Sequence, residues 1–135
     1  MHLGRVGIWT GQLDARPAAE AQDMVAELES LGYPAVWIPE AVDREVLTHA
    51  TLLLAGSDTI VVATGIARVH ARAPRSTALA QLMLTERFPD RFLLGLGASH
   101  APVIERQLEQ DYGSPVATMR DYLDAVDAAI DGQEY

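Results

Sequence analysis

An α/β fold built on a parallel sheet is predicted by two features of this 135-residue sequence. Short β-branched runs alternate with amphipathic helical segments, and the runs are continuously apolar rather than alternating in polarity. A strand covered on both faces must be apolar at consecutive positions, so helices are expected over both faces of the sheet. Composition agrees: 49% apolar and 21% charged residues are the proportions of an ordinary folding chain, and the length fits a single domain over 1–135.

Arg5–Thr10 is a short β-rich run closed by Gly11. Pro17 opens a segment in which Ala21, Met24, Val25, Leu28 and Leu31 recur at helical spacing. Gly32 stops that helix where a left-handed cap costs glycine least. Ala35–Ile38 is a second compact strand. Val46–Ala55 is helix-length and apolar, ends at Gly56, and has Asp43, Arg44 and Glu45 as a solvated start. Thr59–Ala67 is nearly continuous in its hydrophobicity and reads as a third strand. Pro74 suits a first helical position, and Leu79, Leu82 and Met83 mark one face of a third helix. Pro89-Asp90 then turns the chain into a fourth strand, Phe92–Ala98. Ser114-Pro115 is an N-cap and first-turn pair, and Met119, Tyr122, Leu123, Val126 and Ile130 form an apolar stripe before Gly132.

Two closures suit this pattern: an open doubly wound sheet, and a (β/α)8 barrel, which takes about 250 residues. Length favours the open sheet. The turn after the first strand, Thr10-Gly11-Gln12-Leu13, lacks the Gly-rich phosphate spacing that a nucleotide-binding open sheet carries there.

Charge and motifs narrow the function. Ten Lys and Arg against nineteen Asp and Glu leave a net charge of −9, so phosphate-backbone binding has little electrostatic support and nucleic acid is not an expected partner. The absence of cysteine removes disulfides, thiolate nucleophiles and cysteine-bound metal sites. His2, His49 and His70 show no metal-ligand spacing, so no metal is assigned. No run of about eighteen apolar residues and no leader-like N-terminus occurs, and a cytoplasmic protein without a membrane span is expected. A nucleophile elbow and a P-loop are also missing, which leaves acyl and phosphoryl transfer without support.

Three places could carry chemistry. Gly95-Leu96-Gly97-Ala98-Ser99-His100 begins like a dinucleotide fingerprint, but its third glycine position is His100. Glycines in a parallel strand equally permit close packing or a close backbone approach. His100 follows the fourth strand, where parallel α/β folds place active-site loops; alternatively it is a surface histidine. Glu40 ends the second strand in Trp37-Ile38-Pro39-Glu40-Ala41, an address for a cofactor contact or general base as much as for a solvated loop acid. Arg68, His70, Arg72 and Arg75 cluster after the third strand, either as a grip for an anionic tail or as ordinary surface cations.

Taken in order, three segments resemble the bacterial-luciferase-like oxidoreductases: Gly32-Tyr33-Pro34-Ala35-Val36-Trp37-Ile38-Pro39-Glu40-Ala41; Ala63-Thr64-Gly65-Ile66-Ala67 with Ala71-Arg72-Ala73-Pro74; and Asp90 to Pro102, which contains Leu94-Gly95-Leu96-Gly97-Ala98-Ser99-His100. The resemblance runs from Arg5 to about Gly132 and is nearest to the actinobacterial branch that uses the deazaflavin coenzyme F-420. It implies a (β/α)8 barrel of which this chain supplies the first four units, a half-barrel, with a flavin or deazaflavin ring across the carboxyl ends of the strands. It implies a non-prolyl cis peptide at Gly65-Ile66 against that ring, and Gly97, Ala98 and Ser99 in the same pocket. His100 and Glu40 take proton-transfer roles by the same resemblance, and Arg72 reaches the cofactor tail.

The implied reaction is hydride transfer between coenzyme F-420, or alternatively flavin mononucleotide (FMN), and a small organic substrate. Family members are about twice as long, and most of their phosphate grip lies in the half of the barrel not found here. The alternative is therefore a truncated, inactive half-barrel that only binds or assembles. Unpaired edges on the first and fourth strands imply either a homodimer of half-barrels or a companion chain.

Overall fold

In chain order the elements are β1 (Ile8–Trp9), α1 (Ala18–Ser30), β2 (Ala35–Ile38), α2 (Val46–Ala55), β3 (Val61–Thr64), β4 (Ala67–Arg68), a 3-10 turn (Val69–Ala71), α3 (Pro74–Arg87), β5 (Phe92–Leu93), β6 (Leu96–Gly97), α4 (Ala101–Gln107) and α5 (Pro115–Ile130). The computed structural model describes residues 1–41 and 44–132, so Asp43 lies outside the described residues. Two units are distinguished: Met1–Ala67 with Leu84–Gly95, and Arg68–Met83 with the residues from Leu96 onward.

The first unit is a parallel sheet in the order β1–β2–β3–β5. Ile8 pairs with Val36, Val36 with Val62, and Val62 with Phe92, so the register carries one apolar row across all four strands. All four residues of β3 are buried, as the unbroken apolar run requires of a strand covered on both faces. Ala21 and Val25 of α1 and Val46, Leu47, Ala50, Leu53 and Leu54 of α2 are buried too. Each fully buried Val or Leu contributes about 1.5–3 kcal/mol relative to exposure.

Helix α1 ends as its glycine predicts. Gly32 has φ +86, its N–H donates to the Glu29 carbonyl at 2.9 Å, and the Tyr33 N–H reaches back to Leu28 at 3.1 Å. That pair of bonds is the Schellman closure, and it turns the chain directly into β2.

Two expected strands are each broken in two. The run Thr59–Ala67 leaves the sheet after Thr64, and Phe92–Ala98 leaves it after Leu93. The cause is a side chain that takes over the ladder. The Thr64 hydroxyl accepts from the Gly95 N–H at 2.7 Å and donates to the Gly95 carbonyl at 2.8 Å. Gly95 approaches so closely that a Cβ on it would lie 2.1 Å from the Thr64 carbonyl oxygen. Of the two uses open to this glycine, close backbone approach is the one observed.

In the second unit, Val69, Ala78, Tyr122, Val126 and Ala129 form a small core with Leu96 and Met119 against it. The spacing of Leu79, Leu82 and Met83 is helical, but that face is exposed, and Thr77 and Ala78 point inward instead. Thr77 tolerates burial because its hydroxyl lies 2.6 Å from that of Tyr122. Similarly, Leu123 and Ile130 of the expected α5 stripe are exposed, while Ala129 is buried. His70, of the basic cluster after the third strand, sits in the 3-10 turn. Helix α4 was not legible in the sequence: it is seven residues long and buries Ile104. No helix among the described residues is long and apolar enough to cross a membrane.

Candidate functional site

Parallel strands bring their carboxyl ends to one edge, so in the first unit the residues following Trp9, Ile38 and Thr64 are neighbours. Three hydrogen bonds bind the segment that leaves β3. The Gly65 N–H donates to the Ile38 carbonyl at 2.8 Å, the Glu40 N–H donates to the Ile66 carbonyl at 3.1 Å, and the Trp9 indole N–H donates to the Gly65 carbonyl at 2.7 Å. The peptide bond between Gly65 and Ile66 is cis. A Cβ on Gly65 would stand 3.1 Å from Trp9 Cδ1 and 3.3 Å from Trp37 Cβ, so only hydrogen fits comfortably between the two tryptophans. Glu40, Gly65 and Ile66 are thus brought together, each half-buried.

Two further residues of that unit are tied down, one to the loop after β1 and one to the start of α2. Arg44 donates from Nε to the Asp14 carbonyl at 3.1 Å and from Nη2 to the Arg16 carbonyl. The Glu45 carboxylate caps α2, accepting from the N–H groups of Leu47 at 3.2 Å and Thr48 at 2.7 Å. Arg44 and Glu45 are therefore structural bonds as well as a helix start. Beneath them His49 Nδ1 lies 3.3 Å from Asp14 Oδ1, with the residues only 2% and 8% exposed. A carboxylate so close would favour an imidazolium. Burial first, and the Arg44 charge second, nevertheless hold His49 down at about 4, so it is neutral near pH 7.

The second unit carries the remaining candidates. Gly97 lies in β6; Ala98 and Ser99 follow it, half-buried. Ser99 adopts φ +62, and its carbonyl accepts from the Tyr112 hydroxyl at 2.9 Å. His100 is exposed at the N-cap position of α4, where its carbonyl accepts from Val103 at 2.9 Å and its side chain makes no capping bond. Tyr112 also stacks on His70, with ring centroids 5.8 Å apart. Arg72 is half-buried and donates to the Arg68 carbonyl at 3.1 Å. Arg68, grouped in the sequence with surface cations, is buried and bonded to Gln107 at 3.4 Å.

Sequence reasoning missed Trp9, Trp37, Tyr112 and the Asp14–His49 pair. Trp9 had a signal, an aromatic at the end of a predicted strand. Nothing in the spacing of Tyr112 ties it to Ser99.

Comparison with known proteins identifies relatives of this geometry. The model of the luciferase-like monooxygenase family matches residues 1–135. A Mycobacterium tuberculosis protein, provisionally named a coenzyme F-420-dependent oxidoreductase, is 29% identical over 122 residues, covering 90% of this chain and 35% of its own length. The coenzyme F-420-dependent tetrahydromethanopterin reductase of Methanopyrus kandleri superposes with a TM-score of 0.76 at 17% identity, over 90% of this chain and 39% of that one. The FMN-bound oxygenating constituent of a 3,6-diketocamphane monooxygenase from Pseudomonas putida gives 0.71 at 16% identity, over 87% and 38%. These two structural likenesses bear on the fold, an α/β arrangement of parallel strands similar to the luciferase-like barrel enzymes. The chain spans about 35% of the length of the curated relative.

Proposed function

The chain belongs to the luciferase-like monooxygenase family, and from that premise we propose that it serves an oxidoreductase reaction between coenzyme F-420, or FMN, and a small organic substrate. The observation that carries the reading is the Gly65–Ile66 segment. It is tied to β2, to the Glu40 backbone and to Trp9, and it has no side chain at 65 at the edge where parallel α/β sheets take ligands. A flat ring suits that edge, because the segment is held in place by these bonds while Glu40, Gly65 and Ile66 stay only half-buried. When bound, the ring supplies the hydride chemistry; the chain binds it, orients it and handles the proton.

Gly65 and Ile66 would hold the ring, with Glu40 beside them as a proton-transfer group. For the second unit taken by itself, family membership supports its own proposed roles: the exposed His100 as a proton donor, Gly97, Ala98 and Ser99 as cofactor contacts, and Arg72 as a contact for an anionic tail. Titrating the purified chain with coenzyme F-420, and in parallel with FMN, by fluorescence tests the reading. Saturable micromolar binding of either is expected, and no binding of both would overturn it. His100→Ala should lose turnover and keep both its fold and its cofactor affinity, whereas an unchanged rate would remove the proton-donor role.

The sheet edges favour a second reading: among the described residues β1 and β5 each pair on one side only, which suits a half-barrel that only binds or assembles with a partner chain or a second copy. Cofactor binding without turnover under any condition would select it.

A further inference from the structure

We infer that Trp9 is a positioning and specificity residue: its indole N–H fixes the Gly65 carbonyl, and its exposed ring is a stacking wall that selects a planar heteroaromatic ligand. This inference rests on the ring-binding reading of the same edge. Trp9 is 63% exposed, although an aromatic of this size contributes most when buried. It lies at the end of β1, a strand of two residues whose other member, Ile8, is half-buried. Packing of the core therefore does not account for a tryptophan at this place.

The ring is nevertheless held. Its N–H is spent on Gly65 at 2.7 Å, and the Gly65 α-carbon lies so near that a Cβ would stand 3.1–3.2 Å from Cδ1 and Nε1. One edge of the indole is thus taken up by the backbone, and the residue's large exposure leaves the rest of the ring surface available. Of the three bonds that tie Gly65–Ile66, two run between backbone groups and do not involve the side chain at position 9. The Trp9 bond alone comes from a side chain, so the geometry of that segment depends on the identity of residue 9. An indole is electron-rich, and its favourable partners are flat, electron-poor rings in offset or edge contact. A saturated or branched ligand would cover it without that gain.

The chain contains two tryptophans, Trp9 and Trp37, so a 15N-labelled sample has two indole N–H resonances, which a Trp37→Phe variant assigns. Without ligand, the Trp9 indole proton should exchange with water well below the rate of a free indole; fast exchange would overturn the positioning role. FMN and coenzyme F-420 are then titrated, with binding followed independently by fluorescence anisotropy. The Trp9 resonance should shift in step with saturation. Trp9→Phe, which keeps a ring and loses the N–H, should weaken binding roughly 3- to 10-fold, and Trp9→Leu roughly 10- to 30-fold, with unchanged circular dichroism. Binding that leaves the Trp9 resonance and both variants' affinities unmoved overturns this inference and spares the ring-binding reading. Failure of the unsubstituted chain to bind either ring overturns both.

Discussion

Thr64 and Gly95 exchange two hydrogen bonds through one hydroxyl, at 2.7 and 2.8 Å, and so end two strands at once. Thr64→Val preserves shape but strands the Gly95 N–H, and a loss of about 1–3 kcal/mol in urea denaturation is expected, with Thr64→Ser retaining most of it. Gly95→Ala pushes a methyl against the Thr64 carbonyl, and the backbone must yield at a cost of about 1–3 kcal/mol or more. His49 sets a pH dependence. Its ordinary value of 6.5 falls to about 4 in the fold, through burial and then Arg44. Between those values the unfolded chain binds a proton that the folded chain refuses, so stability present above pH 6.5 is lost as pH falls through the window. The urea midpoint should be lower at pH 5 than at pH 7.5, and His49→Gln should flatten that difference.

At the scale of elements, the clearest device is the Glu29 carboxylate of α1, which gathers the start of β3. It accepts from the Asp58 N–H at 3.0 Å, the Ile60 N–H at 3.1 Å, and the N–H and hydroxyl of Thr59. Burial alone would raise its pKa, yet the Thr59 hydroxyl and the three backbone donors outweigh burial and lower it. Its contribution is present above the unfolded value of 4.5 and is lost as pH falls through the folded one. Glu29→Gln should therefore show a shallower loss of thermal stability below pH 4.5, and an acid limb as steep as that of the unsubstituted chain would disprove the brace. Helices and strands differ in how far sequence exposed them. Ala35–Ile38 and Val46–Ala55 appear at the bounds set by their apolar runs and by Gly56, because propensity, burial and the stop residue agree there. The α3 face was misread because Leu79, Leu82 and Met83 have the right period, and period does not say which side meets a core.

For the whole molecule, the edges of the first unit's sheet bear on assembly. Among the described residues β1 and β5 each pair on one side of the first unit's sheet, and unpaired strand edges invite another strand. The proposed self-paired dimer should scatter light as about twice 14.6 kDa. A well-dispersed species of 14.6 kDa at the same concentration would reject it.

Local physics determined much of this protein from sequence alone. Continuous apolar runs dictated buried parallel strands, Gly32 dictated the closure of α1, and the segments around Glu40, Gly65 and Gly97–His100 marked the family. Tertiary structure decided the rest. It placed Trp9 over Gly65, set the Thr64 hydroxyl on Gly95, and buried His49 against Asp14. These contacts join residues 56, 31 and 35 positions apart in sequence order, as their numbers show. Periodicity reports only on neighbours within a turn or a pleat, whereas a hydrogen bond between the ends of different strands exists only after the sheet has set their register.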